Sequence, residues 1–255
     1  MSRGCKALFI LSGALLLLAG CATKPTASVS QAEPVSKVAA LPLHPDPKEI
    51  LEKAPAKPSA PFEGEGWKSL FDGKTLAGWQ ETLFGGHGEV ECQSGMVVIN
   101  TGDQLSGINW TNELPRVDYE VALDAMRVEG SDFFCGLTFP VKDAYCSLIL
   151  GGWGGAVVGL SSINGEDASE NETTQYMRFE KGRWYRVRVR VTQAKIEAWV
   201  DAQNIIDLPT KERKISLRYG DIERSIPLGI ATFQTTSAVR QIKMRRLELP
   251  EATKR

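Results

Sequence analysis

The chain has 255 residues, with 30 Lys and Arg against 31 Asp and Glu, a formal net charge of −1. Residues 1–20 carry two basic residues, Arg3 and Lys6, and no acidic ones, so beyond them the balance is 28 against 31, or −3. That balance argues against nucleic acid as a partner, which calls for a basic face.

In chain order, Arg3 and Lys6 form a charged start and Ala7 to Leu18 an apolar run too short for a stable bilayer span. The run ends in Leu18-Ala19-Gly20-Cys21, which resembles the lipobox of bacterial lipoproteins. Residues 1–20 are therefore expected to be a lipoprotein signal peptide, with Cys21 the lipidated residue. Acyl chains on Cys21 would supply the membrane hold, each buried methylene adding about 0.8 kcal/mol. The expected location is the cell envelope, as an exported lipoprotein facing the periplasm or the outer surface.

Residues 21–66 read as a disordered linker rich in Pro, Ala and Ser, with few aromatic residues. Asp46 to Ala54 could form a short helical turn, with little to pack against. Residues 67–250 read as one domain, large enough for a real core, and 251–255 as a tail.

The domain pattern is β throughout. In 183–191, Tyr185, Val187, Val189 and Val191 share one face while Arg186, Arg188 and Arg190 share the other, the period of a strand with one buried side. Tyr119-Val121-Leu123, Cys135-Leu137-Phe139, Cys146-Leu148-Leu150 and Ile196-Ala198-Val200 alternate likewise, with turn pairs such as Ser94-Gly95, Asn164-Gly165 and Lys181-Gly182 between the runs. Many short strands and almost no amphipathic helix predict an all-β, two-sheet antiparallel sandwich of jelly-roll type. A hairpin centred between Pro140 and Val141 would set Cys135 opposite Cys146, leaving open a cross-strand disulfide or two buried thiols.

One phrase carries a resemblance. Trp67-Lys68-Ser69-Leu70-Phe71-Asp72-Gly73-Lys74-Thr75-Leu76-Ala77-Gly78-Trp79 resembles the opening of the bacterial 3-keto-disaccharide hydrolase domain, Phe-(Asn/Asp)-Gly-Lys-x-Leu-x-Gly-Trp. The strand after Trp184, the hairpin around Asp201-Ala202-Gln203, and the closing runs Gly229 to Gln234 and Val239 to Ile242 resemble its second half. The resemblance implies a concanavalin A-like, laminin-G-like sandwich and attack on sugars oxidised at C3. There a base removes the acidified C2 proton, the aglycone leaves from C1, and water adds back. The chain departs from the pattern at Phe233-Gln234-Thr235-Thr236, where many relatives carry Leu-Gln-x-His and this sequence has Thr236.

Candidate site residues follow from composition and from that chemistry. His87, alone among the domain's residues as a histidine, and Glu91 are the candidate catalytic pair. Trp153, within Gly151-Gly152-Trp153-Gly154-Gly155, offers a flat face to a sugar ring, and the glycines let backbone approach a ligand. Asp167, Glu170 and Asn171 in the polar loop 161–173, with Arg188 and Gln234, complete the candidate substrate contacts. Asp167, Glu170, Asn171 and Glu172 are also oxygen donors of the kind Ca²⁺ prefers, so a divalent cation is a candidate cofactor although no metal-ligand motif is present. Arg186, Arg188 and Arg190 could equally form a salt-bridge ladder with Glu120, Asp124 and Glu197.

The expected partner is carbohydrate. A 3-keto-glycoside hydrolase, a non-catalytic carbohydrate-binding sandwich, and a structural module of the envelope are the three readings, separated by what faces the pocket.

Overall fold

The computed structural model describes residues 45–248; Cys21, the lipobox-like run and the first part of the expected linker lie outside the described residues. A helix α1 (Pro47–Lys53) and a 3-10 turn (Ala54–Ala56) come first. The strands follow as β1 (Lys68–Ser69), β2 (Trp79–Glu81), β3 (Val90–Gln93), β4 (Met96–Ile99), β5 (Leu105–Trp110) and β6 (Tyr119–Gly130). Next are β7 (Cys135–Val141), β8 (Ala144–Gly152), β9 (Val157–Ser161), β10 (Gln175–Tyr176) and β11 (Trp184–Val191). The chain closes with β12 (Lys195–Val200), β13 (Gln203–Pro209), a 3-10 turn (Asp221–Ser225), β14 (Gly229–Phe233) and β15 (Thr235–Arg246). Among the described residues no helix is long and apolar enough to cross a membrane.

The strands form two antiparallel sheets. Sheet A runs β13-β12-β11-β6-β15-β4-β3, with β1 on β15, and sheet B runs β10-β9-β8-β7-β14-β5-β2. Sequence neighbours such as β14 and β15 lie in different sheets, the jelly-roll device that closes a sandwich with few free edges. The inner faces meet in one core, with Tyr185, Val187, Val189 and Val191 of β11 and Leu137, Phe139, Leu148 and Leu150 of sheet B all buried. Tyr119 crosses between the sheets, its hydroxyl donating to the Pro140 carbonyl at 2.7 Å. The all-β sandwich expected from the alternation is the fold observed.

The cysteine hairpin differs from expectation. Its centre lies between Lys142 and Asp143, because Lys142 takes the left-handed backbone (φ 52°) that the tight turn needs. That two-residue displacement sets Cys146 opposite Phe139 and Cys135 opposite Leu150, so both are free, buried thiols rather than a bridge. Burial in the apolar core pushes each up to about 12.

The end of the expected linker also differs. Asp46 caps α1, its side chain accepting from the Lys48 N–H at 2.9 Å. Ile50 and Ala54 are buried against Met96, Val98, Met126, Val128 and Ala238 on the outer face of sheet A. The short helix has apolar surface to pack against because β4, β6 and β15 expose a second apolar patch there.

Candidate functional site

The outer face of sheet B holds the candidate site, and the strand register shows how its hollow forms. At one level across five strands lie Gly107, Ala231, Gly136, Ile149 and Gly159, each opposite the next. Four of the five have no side chain beyond a methyl group, so the sheet surface is hollowed. One step to one side lie Thr138, Ser147 and Ser161, also in register. One step to the other side Phe233 stands opposite Leu105, and Phe133 packs on Phe233 at 5.9 Å between ring centroids. The result is a trough with an apolar wall and a hydroxyl wall.

Loops raise the trough into a cleft of about 420 Å³, lined by Phe133, Phe233, Trp153, Ser147, Ser161, Asp167, Arg218 and Tyr219 among others. Trp153 is 42% exposed and adopts a left-handed backbone (φ 48°), a conformation that costs a bulky residue on the order of 1–3 kcal/mol. Buried Arg127 holds the turn that imposes it, with Nη2 donating to the carbonyls of Asp132, Gly151 and Gly155 at 2.9, 3.1 and 3.2 Å. A Cβ on Gly151 would lie 2.3 Å from that nitrogen, so only glycine admits the approach. Burial lowers the Arg127 guanidinium below its usual range, and neighbouring Asp132 offsets part of that effect.

Asp167 is the cleft's ordered carboxylate, its side chain 16% exposed. One oxygen accepts from the Ser161 hydroxyl and the Ala168 N–H, and the other lies 2.8 Å from Arg218 Nη1. The loop that carries it is built around Asn171, whose amide donates to the carbonyls of Leu160, Glu166 and Asp167 while its oxygen accepts from Thr173. A carboxylate, a guanidinium and two hydroxyls beside aromatic rings can bind a polyol ring, take a proton from it, or hold a developing oxyanion.

The candidates named from sequence divide across the molecule. Trp153 and Asp167 share the cleft. Asn171 is buried with its amide fully engaged, so its place is to hold the loop. Glu170 is exposed on that loop, and Glu172 forms a two-point pair with Arg213 at 2.6 and 2.7 Å. The four oxygen donors therefore do not converge on one point, and among the described residues no three His, Cys, Asp or Glu side chains group to hold a metal ion.

Gln234 is exposed between β14 and β15, its amide donating to the Asp103 carbonyl at 3.1 Å. His87 is half-buried in the turn after β2, with Nδ1 3.2 Å from the Gly88 carbonyl. Glu91 is exposed on β3, the edge strand of sheet A, so it and His87 are not part of the cleft lining. Thr236 is buried, its hydroxyl accepting from the Thr101 N–H at 3.1 Å.

Arg188 lies on the outer face of sheet A, away from Trp153, because β11 turns its arginines to the side opposite the core. There the ladder forms: Arg186 and Arg240 reach Asp124 at 2.7 and 3.2 Å, and Arg190 reaches Glu120 at 2.6 Å. Sequence reasoning missed Arg218, Tyr219, Phe133 and Phe233. The pair Tyr219-Gly220 reads locally as a turn, and only the topology carries it over β8.

Residues 66–245 match the family model described as the 3-keto-alpha-glucoside-1,2-lyase-like domain. The chain belongs to that family. It is thus a member of a carbohydrate-active domain family. No curated protein matches it in sequence. Among solved structures, the carbohydrate-binding module CBM66 from Bacillus subtilis is 12% identical, covers 66% of this chain and 95% of its own, with a TM-score of 0.46. Domain 4 of AbnA, a GH43 extracellular arabinanase from Geobacillus stearothermophilus solved with arabinotriose, is 13% identical over 72% and 93% of the chains, TM-score 0.46. The Crh5 transglycosylase with NAG is 10% identical over 78% and 91%, TM-score 0.48.

Proposed function

We propose that the cleft on sheet B binds a 3-keto-glycoside and that this 3-keto-glucoside-lyase-like domain cleaves it by elimination. The observation behind the reading is Asp167, an ordered carboxylate set between a guanidinium and a hydroxyl inside an aromatic-walled cleft. The C3 keto group acidifies the proton on C2, and Asp167 is the group that takes it. The electron pair becomes the enolate, whose oxygen Arg218 holds. The C1–O bond then breaks, the aglycone leaves as an alcohol once protonated, and water adds across C1 and C2. Trp153 supports the ring through its C–H face.

A second reading, saccharide binding without cleavage, draws on the same residue. Three donors already engage the Asp167 carboxylate, from Ser161, Ala168 and Arg218. The chain's opening through Cys21 supports placing either activity on an exported, lipid-tethered protein of the cell envelope.

The test is product release from a 3-keto-glucoside by the full chain, followed by chromatography, with chelator and with added Ca²⁺ or Mn²⁺. Release is expected, falling about 100-fold in Asp167→Asn, the lower range for loss of a general base. Release unchanged in that variant would remove Asp167 from the chemistry. No release under any condition, with glucoside binding that Trp153→Ala weakens, would establish the binding reading instead.

A further inference from the structure

The outer face of sheet A carries a second concavity of about 450 Å³, between Arg186, Arg188 and Trp199 of the sheet, Arg183 just ahead of β11, and Phe62 and Trp67 of the N-terminal segment. Its cations are not equivalent. Arg186 has Asp124 at 2.7 Å, and it also donates to the Ser59 hydroxyl and to the carbonyls of Ala60 and Pro61. Arg183 has Asp201 at 2.7 Å. The two oxygens of Glu120 are taken by Arg190 and Arg245, each through Nε at 2.6 Å.

Arg188 is the remainder. Its Nη1 lies 3.5 Å from the Glu120 oxygen that Arg190 already holds, and among the described residues its guanidinium makes no hydrogen bond. Three guanidinium groups thus share one carboxylate that is wholly buried. The Arg188 side chain is 20% exposed and lies 3.9 Å from the centre of the Trp199 ring. A guanidinium fixed on a tryptophan face, lining a cavity, with unused donors is a recognition element.

We propose that this concavity binds a carboxylate-bearing sugar, a uronic acid or related sugar acid, at a site separate from the cleft. The guanidinium fork matches the two oxygens of a carboxylate. The lining sets three arginines, Arg183, Arg186 and Arg188, against two carboxylates, Glu63 and Asp201, and that excess of one positive charge matches a monoanion and opposes a more highly charged ligand such as a phosphate dianion. Trp199, Trp67 and Phe62 line the cavity and give a pyranose ring apolar edges to pack against, their faces carrying Arg188, Arg245 and Arg186.

Calorimetric titration of the full chain with glucuronate tests this, beside glucose, the neutral methyl ester of glucuronate, benzoate and inorganic phosphate. Glucuronate is expected to bind at least tenfold tighter than each of the others, with at least a tenfold loss in Arg188→Gln. Phe62→Ala, which leaves every Glu120 contact in place, is expected to weaken glucuronate severalfold and decides the matter should Arg188→Gln fail to fold. Trp153→Ala is expected to leave glucuronate affinity unchanged. Equal binding of the ester, of benzoate or of phosphate would overturn the proposal. So would absence of glucuronate binding, full affinity in the Arg188 or Phe62 variant, or a loss confined to Trp153→Ala.

Discussion

On sheet A the outward side chains are an apolar patch under α1 and a field of long charged groups, two buried carboxylates are each shared by arginines, and a stretch of chain from Pro47 to Trp67 packs on that face. On sheet B the outward side chains at the same depth are glycine, alanine and small hydroxyls, and the surface stays open. Both faces belong to one sandwich and share one core. The difference shows two ways to satisfy the outside of a β-sheet: cover it with paired charge and chain, or strip it until a ligand fits.

If sheet A depends on its shared carboxylates, Glu120→Ala has the largest effect, because it leaves Arg188, Arg190 and Arg245 around an empty partner position. Breaking a buried ion cluster from one side costs about 3–5 kcal/mol, read from the urea midpoint. A loss below about 1 kcal/mol, the range of a surface pair, would make that face ordinary solvated charge.

Sheet B is tested by filling it. In Gly159→Val the new Cβ would meet the Ala168 carbonyl oxygen at 2.7 Å, so the Asp167 loop must lift. Overpacking of this kind costs about 1–3 kcal/mol, and saccharide binding should fall with it. Undiminished binding would show that the trough floor does not shape the cleft.

Smaller effects sharpen the contrast. Trp153→Ala is expected to weaken saccharide binding roughly tenfold, about 1.4 kcal/mol, with little change in the urea midpoint, since Trp153 is an exposed residue at the cleft rim and not part of the core. Asp46→Ala removes only the cap of α1, about 0.5–1 kcal/mol of local stability. Hydrogen exchange should then quicken in 47–53 alone; quickening that spreads into β4 and β6 would mean that the segment is part of the sheet's own stability.

The contrast also explains what could be read from sequence. The sheet A strand Trp184–Val191 announces itself because arginine alternates with apolar residues, so one face is named and the other follows. In β7, Gly136 and Thr138 alternate with Cys135, Leu137 and Phe139, and every residue is buried, so period two loses contrast where the site lies. Trp153 and Asp167 were legible through their glycine-rich and polar surroundings. Phe133, Phe233 and Arg218 were not, because they come from two connections and the end of β14, which only the strand order β8-β7-β14-β5 brings together. Arg188 was legible as part of a stripe but not as belonging to the other face. The turn at Lys142, displaced by two residues from the proline, accounts for the cysteine pairing that did not occur.

The segment packed on sheet A also sets the path by which mechanical load would enter the sandwich. A pull applied ahead of Pro45 meets α1 first, held by Ile50 and Ala54 in their apolar seat. It next meets the bonds from Arg186 to residues 59–61 and from Arg245 to the Glu65 carbonyl. Only then does it reach the two-residue pairing of β1 with β15. All three sets of contacts precede the rest of the sandwich in the chain, so load from that side falls on the segment before it falls on the strands that shape the cleft.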